Sequence, residues 1–140
     1  MSEPGQLELL NLLNELLEAE RAGAKALLRT AMDTDRKDVS ELSKAIHHDE
    51  ARWCAVLTGA IRDLGGEPSA KTGAFYEKVM AIPEDGPRLA FVNRGQGWVV
   101  RKLREMLPKI ENARLSADLR EMLTSHEANI KLVADSGLID

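Results

Sequence analysis

Four segments of the chain carry hydrophobic residues at alternating steps of three and four, the spacing that puts side chains on one face of an α-helix. The first predicted helix covers residues 6–32 and the second covers residues 35–64. The third begins at residue 85, and the fourth covers residues 113–134. Each segment is long enough to cross a small domain, so the pattern predicts an all-α protein.

Residues that favour turns mark the ends of these helices. Either Thr34 or Asp35 can cap the second helix, because short polar side chains accept hydrogen bonds from the first free N–H groups. Gly65 is expected to end it, since glycine readily adopts the left-handed conformation of a helix stop. Pro87 suits the first turn of the third helix, and Pro108 should kink or fray its last turn.

The connections between the helices differ greatly in length. The short breaks within the first and second pairs predict antiparallel hairpins. The link over residues 65–85 is longer and holds a short amphipathic piece at residues 75–82. Such a link can run the full length of a helix of about 42 Å, so the third helix could begin at either end. We therefore predict a four-helix up-down bundle with one long crossover between helices 2 and 3, as one domain over residues 1–140.

Each hydrophobic stripe is interrupted once, near the middle of its helix, by a polar residue. The interrupting residues are Glu20, Glu50, Gln96 and His126. Mid-helix positions of antiparallel helices lie at the same height, so these four side chains should face one another inside the bundle. His47 lies three residues before Glu50 and Asn129 three after His126, and residues three apart share a helix face.

One interpretation of these interruptions is a metal site. Burying a lone carboxylate is costly, and carboxylates with imidazoles projecting from facing helices are how bundles bind transition metals. This interpretation assigns Glu20, His47, Glu50 and His126 as ligands of Fe, Mn or Zn, with Gln96 or Glu127 nearby.

Two other interpretations stay open. In the first, the polar residues form a buried hydrogen-bonded network without metal, for which Arg21, Arg52 and Arg94 would supply the countercharge, and the protein is a helical interaction or structural module. In the second, the same level holds a small-molecule pocket. Gln96 and Asn129 would then contact the ligand, and the glycines flanking Gln96 would form the entrance.

Composition narrows the partners and the compartment. The formal net charge is −4 and no basic face is evident, which argues against nucleic acid. The single cysteine fits a reducing compartment, no apolar run approaches a membrane span, and the acidic, polar residues 1–5 do not form a signal peptide. We expect a soluble, cytoplasmic protein that binds neither nucleic acid nor membrane.

Several segments resemble the ferritin-like superfamily, in particular small bacterial ferritin-like domains of unknown function. The resemblance rests on residues 16–25, 47–53, 65–68 and 124–128. It implies a metal-binding protein with an oxidative-stress or redox role, of undetermined enzymatic activity and with no assigned catalytic residue. It also implies a homodimer that pairs through helix faces.

The ligand pattern departs from that superfamily in three of four helices. The superfamily uses one Glu from helices 1 and 3 and a Glu-x-x-His from helices 2 and 4, and Glu20 matches the first of these. The second helix has His47-x-x-Glu50 in reverse order, Gln96 replaces the third-helix Glu, and only His126 remains in the fourth. A di-iron centre uses about four carboxylates, so a mononuclear site, a different metal and a site without metal all stay open.

Overall fold

The computed structural model describes residues 4–139, and over these residues the chain is all-α, as predicted. Residues 1–3, part of the segment 1–5 on which the expectation about a signal peptide rests, lie outside the described residues. The helices are α1 (Pro4–Asp33), α2 (Lys37–Asp63), α3 (Phe75–Met80), α4 (Asp85–Met106) and α5 (Ala113–Asp135). The four long helices correspond to the four predicted ones, and α3 is the amphipathic piece of the crossover.

The ends of α2 and α4 lie at the glycine and the proline from which they were predicted, Gly65 and Pro108. Gly65 has a φ of +80°, and the N–H groups of Gly65 and Gly66 donate to carbonyls of the last turn of α2. These bonds satisfy carbonyl groups that the end of a helix would otherwise leave free. At Pro108 the chain tightens into a 3₁₀ turn, Leu107–Lys109, because proline has no N–H to continue the α-helical pattern.

The predicted cap of α2 is wrong. Neither Thr34 nor Asp35 caps it; the N-cap is Arg36, which makes no side-chain capping bond. The Thr34 hydroxyl instead donates to Asp85 Oδ2 at 2.7 Å and accepts from the Arg36 N–H at 3.1 Å. The Thr34 side chain, which the local sequence predicted as a cap of α2, therefore forms a tertiary contact between the end of α1 and the start of α4.

The direction of α4 follows from its contacts with α1. Thr34, just after α1, meets Asp85 at the start of α4, and Glu15 in the first half of α1 lies 3.8 Å from Lys102 near the end of α4. The two helices are thus antiparallel. Because α2 is itself antiparallel to α1, α4 runs parallel to α2, and the crossover spans the length of the helices.

The hydrophobic core is divided into two parts. One cluster lies towards the Gly65 end and includes Leu13, Leu17, Trp53, Val99, Leu103 and Met122; the other lies towards the Thr34 end and includes Leu27, Ile46, Val79, Leu89, Val92 and Val133. On every long helix the residue between the two clusters is the polar one that interrupts the stripe. In α5 the stripe continues through buried Asn129, and Ile130, assigned to it from the sequence, is only half-buried.

Candidate metal centre

Three of the interrupting residues meet between the two hydrophobic clusters. Glu20 of α1, Glu50 of α2 and His126 of α5 each offer a ligand atom, and these atoms all lie within 4.8 Å of one another. The three residues are 1%, 3% and 0% exposed. We call them the Glu/Glu/His group. Two carboxylates and an imidazole in so small a volume are compatible with one transition-metal ion.

The orientation of His126 is set by its own helix. Its Nδ1 lies 3.0 Å from the carbonyl oxygen of Met122, one turn earlier, and only a protonated Nδ1 can donate to that oxygen. In the neutral ring Nε2 is then the lone-pair nitrogen, and it lies 2.8 Å from Glu20 Oε1. Two lone pairs at that distance repel unless a proton or a cation lies between them. A backbone bond that fixes the tautomer is also the usual companion of a metal-ligating histidine.

Four buried atoms at this level have no hydrogen-bond partner of acceptable geometry among the described residues. They are Glu20 Oε1, Glu50 Oε2, Gln96 Oε1 and His126 Nε2. Buried polar atoms are nearly always satisfied, and leaving one unsatisfied costs about 1–3 kcal/mol. All four can present a lone pair, so the cluster lacks something that accepts electron density: protons or a cation.

The local electrostatics disfavour two ionised carboxylates at this level. Burial first, and then the charges of Glu20 and Asp49, raise the pKa of Glu50 well above its ordinary value of 4.5. Burial alone would lower the pKa of His126, but the Glu20 carboxylate, the Met122 carbonyl and the Asp49 charge together more than offset this, and the pKa is raised. The metal-free cluster therefore tends to hold protons where a metal would supply positive charge.

The three arginines that the network interpretation required lie elsewhere. Arg52 pairs with Glu121 at 2.8 Å, Arg21 donates to the Lys71 carbonyl at 2.6 Å, and Arg94 lies over the ring of Phe91. Within residues 4–139 none of them forms an ion pair with Glu20 or Glu50. The countercharge of a metal-free network would have to come from His126 alone.

His47 and Asn129 are not brought into the Glu/Glu/His group. His47 is half-buried, and its Nδ1 lies 2.7 Å from the Ala24 carbonyl oxygen of α1. Asn129 is buried next to the group, where its Nδ2 donates to Asp49 Oδ2 at 3.1 Å. Their predicted roles as a metal ligand and as a ligand contact remain predictions.

Gln96 and Glu127, which the sequence predicts near the metal ligands, differ in position. Gln96 is buried beside the group, and its Nε2 donates to Asn93 Oδ1 at 3.4 Å while Oε1 stays unpartnered. Glu127 is exposed and forms an ion pair with Arg104. Only Gln96 is therefore close enough to contribute an additional polar atom.

Sequence reasoning missed the contribution of Gly23. A Cβ built at this position would lie 2.4 Å from Glu50 Oε2 and 2.9 Å from Oε1. The missing side chain lets the Glu50 carboxylate lie directly against α1. Glycine in mid-helix costs about 1 kcal/mol relative to alanine. A glycine in the middle of a long helix, three residues after Glu20, was therefore the feature of the sequence that could have identified this role of Gly23.

Cys54 lies one turn after Glu50 and is half-buried. Burial first, and then the Glu20 and Glu50 carboxylates, raise the pKa of its thiol from 9.0 to about 12. Since the thiolate is the reactive form, we expect folded protein to react with iodoacetamide at pH 8 on the order of 1,000-fold more slowly than an ordinary thiol. Unfolding in urea should restore the normal rate, and equal rates in both states would contradict this prediction.

Together, the fold and the site define an all-α protein with a buried group of two carboxylates and one imidazole at mid-height. The chain belongs to the family described as a domain of unknown function, DUF6306, which matches residues 7–135. Comparisons with curated proteins and with solved structures gave no match. Among residues 4–139, no helix is both long enough and apolar enough to cross a membrane.

Proposed function

We propose that the protein is a metal-binding bundle of the ferritin-like kind, in which Glu20, Glu50 and His126 hold a single transition-metal ion. The observation that carries the proposal is the set of buried, unpartnered lone-pair atoms, to which each of these three residues contributes one. The path of the chain also supports it, because a long crossover that makes α4 parallel to α2 is the connectivity of ferritin-like bundles.

The number of carboxylates favours one ion rather than two. Di-iron bundles surround their metals with about four carboxylates, whereas this group offers two. One nitrogen and two oxygens form an acceptable ligand set for Zn²⁺, Mn²⁺ or Fe²⁺, and they leave coordination positions free for Gln96 Oε1 or an external molecule. Three protein ligands with an open position are typical of a catalytic or redox site rather than a closed structural one.

The residues of the chain prepare the site in three ways. The Met122 carbonyl holds His126 with Nε2 towards Glu20. Gly23 makes room for the Glu50 carboxylate. The protons that Glu50 and His126 retain, because their pKa values are raised, must leave as metal binds, so affinity should rise with pH. A bound ion would supply Lewis-acid or redox chemistry; we assign no catalytic residue.

A second candidate function is a non-enzymatic helical module whose inner cluster is structural. It is favoured by the 2.8 Å contact between His126 Nε2 and Glu20 Oε1, which an imidazolium and a carboxylate could form with Glu50 protonated. In that case no metal is needed, and the cluster only fixes the register of the helices. The predicted homodimer, the cytoplasmic location and the oxidative-stress or redox role are further parts of our proposal.

Metal titration separates the two functions. Protein stripped with EDTA and titrated with Fe²⁺, Mn²⁺ and Zn²⁺ should retain one equivalent of at least one metal after desalting. Glu20→Gln keeps the side-chain volume but removes an anionic ligand, so affinity should fall on the order of 100-fold or more. The matched control is Glu121→Gln on the exposed face of α5, which should bind like the wild type.

Failure of folded wild-type protein to take up any of the three metals would overturn the metal-binding function and leave the structural module. Uptake that is equal in the wild type and in Glu20→Gln would also overturn it, because the metal would then lie elsewhere. Circular dichroism of each variant checks that the helices are intact.

A further inference from the structure

A cavity of about 230 Å³ lies between α1 and α4, beside the Glu/Glu/His group. Its walls are almost entirely apolar and are formed by Ala19, Val92, Trp98 and Val99. Ala19 and Trp98 are half-exposed, so the cavity reaches the surface, whereas Val92 and Val99 are buried. An apolar cavity of about 150 Å³ already admits benzene, which makes this one large enough for a small organic molecule.

The polar atoms of the cavity are confined to its buried end. Glu20, Glu50 and Gln96 line that end, at 1–3% exposure. Glu20 faces His126, whereas Gln96 has an uncharged side chain at every pH and is therefore the neutral polar contact at this end. Its Nε2 is bonded to Asn93, and its Oε1 is an unpartnered, buried hydrogen-bond acceptor.

Phe75, the first residue of α3, forms part of the cavity wall. Its ring stacks on Phe91 of α4 with 5.2 Å between centroids, and a Cβ at Gly95 would lie 2.7 Å from the Phe75 ring. Gly95 therefore creates the space in which the ring sits.

We propose that this cavity binds a small, uncharged and mainly apolar molecule with one hydrogen-bond donor, which donates to Gln96 Oε1 while the apolar part packs against Phe75 and the other wall residues. By comparison with the benzene-sized cavity, roughly six to ten non-hydrogen atoms would fit. Anions are disfavoured by the acidic buried end, and apolar walls disfavour any full charge. As a binding site the cavity is independent of metal; as a substrate site it rests on the proposed metal centre, which shares its buried end.

The test uses matched probes on EDTA-treated protein, with binding measured by isothermal titration calorimetry and NMR shifts. Benzyl alcohol should bind with a Kd on the order of 0.1–1 mM, as expected for a ligand of its size. Toluene, which lacks the donor, should bind severalfold more weakly, and benzoate and benzylammonium should not bind measurably.

Two variants locate the bound probe. Ala19→Leu adds volume to the cavity wall and should abolish binding, whereas Ala60→Leu, on a half-buried position of α2 outside the cavity, should not. Gln96→Leu removes the acceptor at nearly constant volume. In this variant benzyl alcohol should lose its advantage over toluene while toluene still binds.

Three results would overturn the proposal: no binding of either neutral probe at 10 mM, unchanged binding in Ala19→Leu, or tighter binding of benzylammonium than of benzyl alcohol. Because the probes are tested without metal, these outcomes are separate from the metal titration. Binding of benzyl alcohol by a protein that takes up no metal would support the cavity and reject the metal centre.

Discussion

Replacing Gly23 by alanine is expected to weaken metal binding strongly while the helices remain folded. The new methyl group would lie 2.4 Å from Glu50 Oε2 and 3.0 Å from Cδ, closer than any van der Waals contact allows. The atoms in its way are the far end of a flexible side chain, so the Glu50 carboxylate should swing away rather than the helices separate. With one of two carboxylates displaced, we expect metal affinity to fall on the order of 100-fold or more, measured by calorimetric titration.

The stability of this variant provides an internal check. Alanine favours the helix over glycine by about 1 kcal/mol, but crowding in a packed interior costs about 1–3 kcal/mol, so metal-free Gly23→Ala should be modestly destabilised. The matched control is Gly59→Ala in α2, where an added Cβ meets no atom within 4 Å. That variant should gain about 1 kcal/mol and bind metal normally. Wild-type affinity in Gly23→Ala would mean that Glu50 is not a ligand.

Replacing Glu50 by glutamine is expected to remove the stabilisation by metal and to reduce the pH dependence of the free energy of unfolding. Saturating metal should stabilise the wild type by about 2.7 kcal/mol at 100 times its Kd. Glu50→Gln should show no such gain. Its metal-free form should be at least as stable as the wild type at pH 8, since glutamine is neutral at every pH and avoids the cost that burial places on an ionisable carboxyl group above its unfolded pKa.

The pH response follows from the raised pKa values of Glu50 and His126. A group whose pKa is raised on folding contributes stability that is fully present below its unfolded pKa, 4.5 for Glu50, and is lost as pH rises through the folded pKa. Metal-free wild type should therefore lose stability as pH rises above 4.5, by up to about 1.4 kcal/mol per unit and per group. Glu50→Gln should keep only the part that belongs to His126.

Chemical denaturation at several pH values, with and without metal, measures both effects. Glu121→Gln serves as the control because it removes an exposed carboxylate. An equal metal-induced stabilisation of the wild type and Glu50→Gln would contradict the ligand assignment. A pH dependence that is the same in both proteins would contradict the buried, protonated state of Glu50.

The lengths and ends of the helices were predictable because they depend on local interactions. The predicted 6–32 and 113–134 correspond to Pro4–Asp33 and Ala113–Asp135, since a periodic stripe and its flanking breaks identify a helix without knowledge of its partners. The N-cap of α2 was mispredicted for the opposite reason. The Thr34 hydroxyl donates to Asp85, which is 51 positions away in the sequence, so neighbouring residues could not predict this partner.

Part of the candidate site was also predictable, because the burial of its residues follows from their position on a single helix. Glu20, Glu50 and His126 interrupt hydrophobic stripes, and a position on a stripe is buried whatever the neighbouring helix is. Two residues three positions apart on a helix point in directions that differ by about 60°. Two such residues can therefore lie on the same face of the helix and still contact different neighbouring helices. His47 turns towards Ala24 of α1, and Asn129 towards Asp49 of α2.

Four long helices and one polar level near their middle could be predicted from the sequence, because period and position are properties of a single helix. The parallel arrangement of α4 and α2 could not, since a link of that length reaches either end of the bundle. The same holds for the space that Gly23 leaves for the Glu50 carboxylate and for the cavity beside it, which Phe75 lines. These features depend on distances between helices, which no single stripe contains.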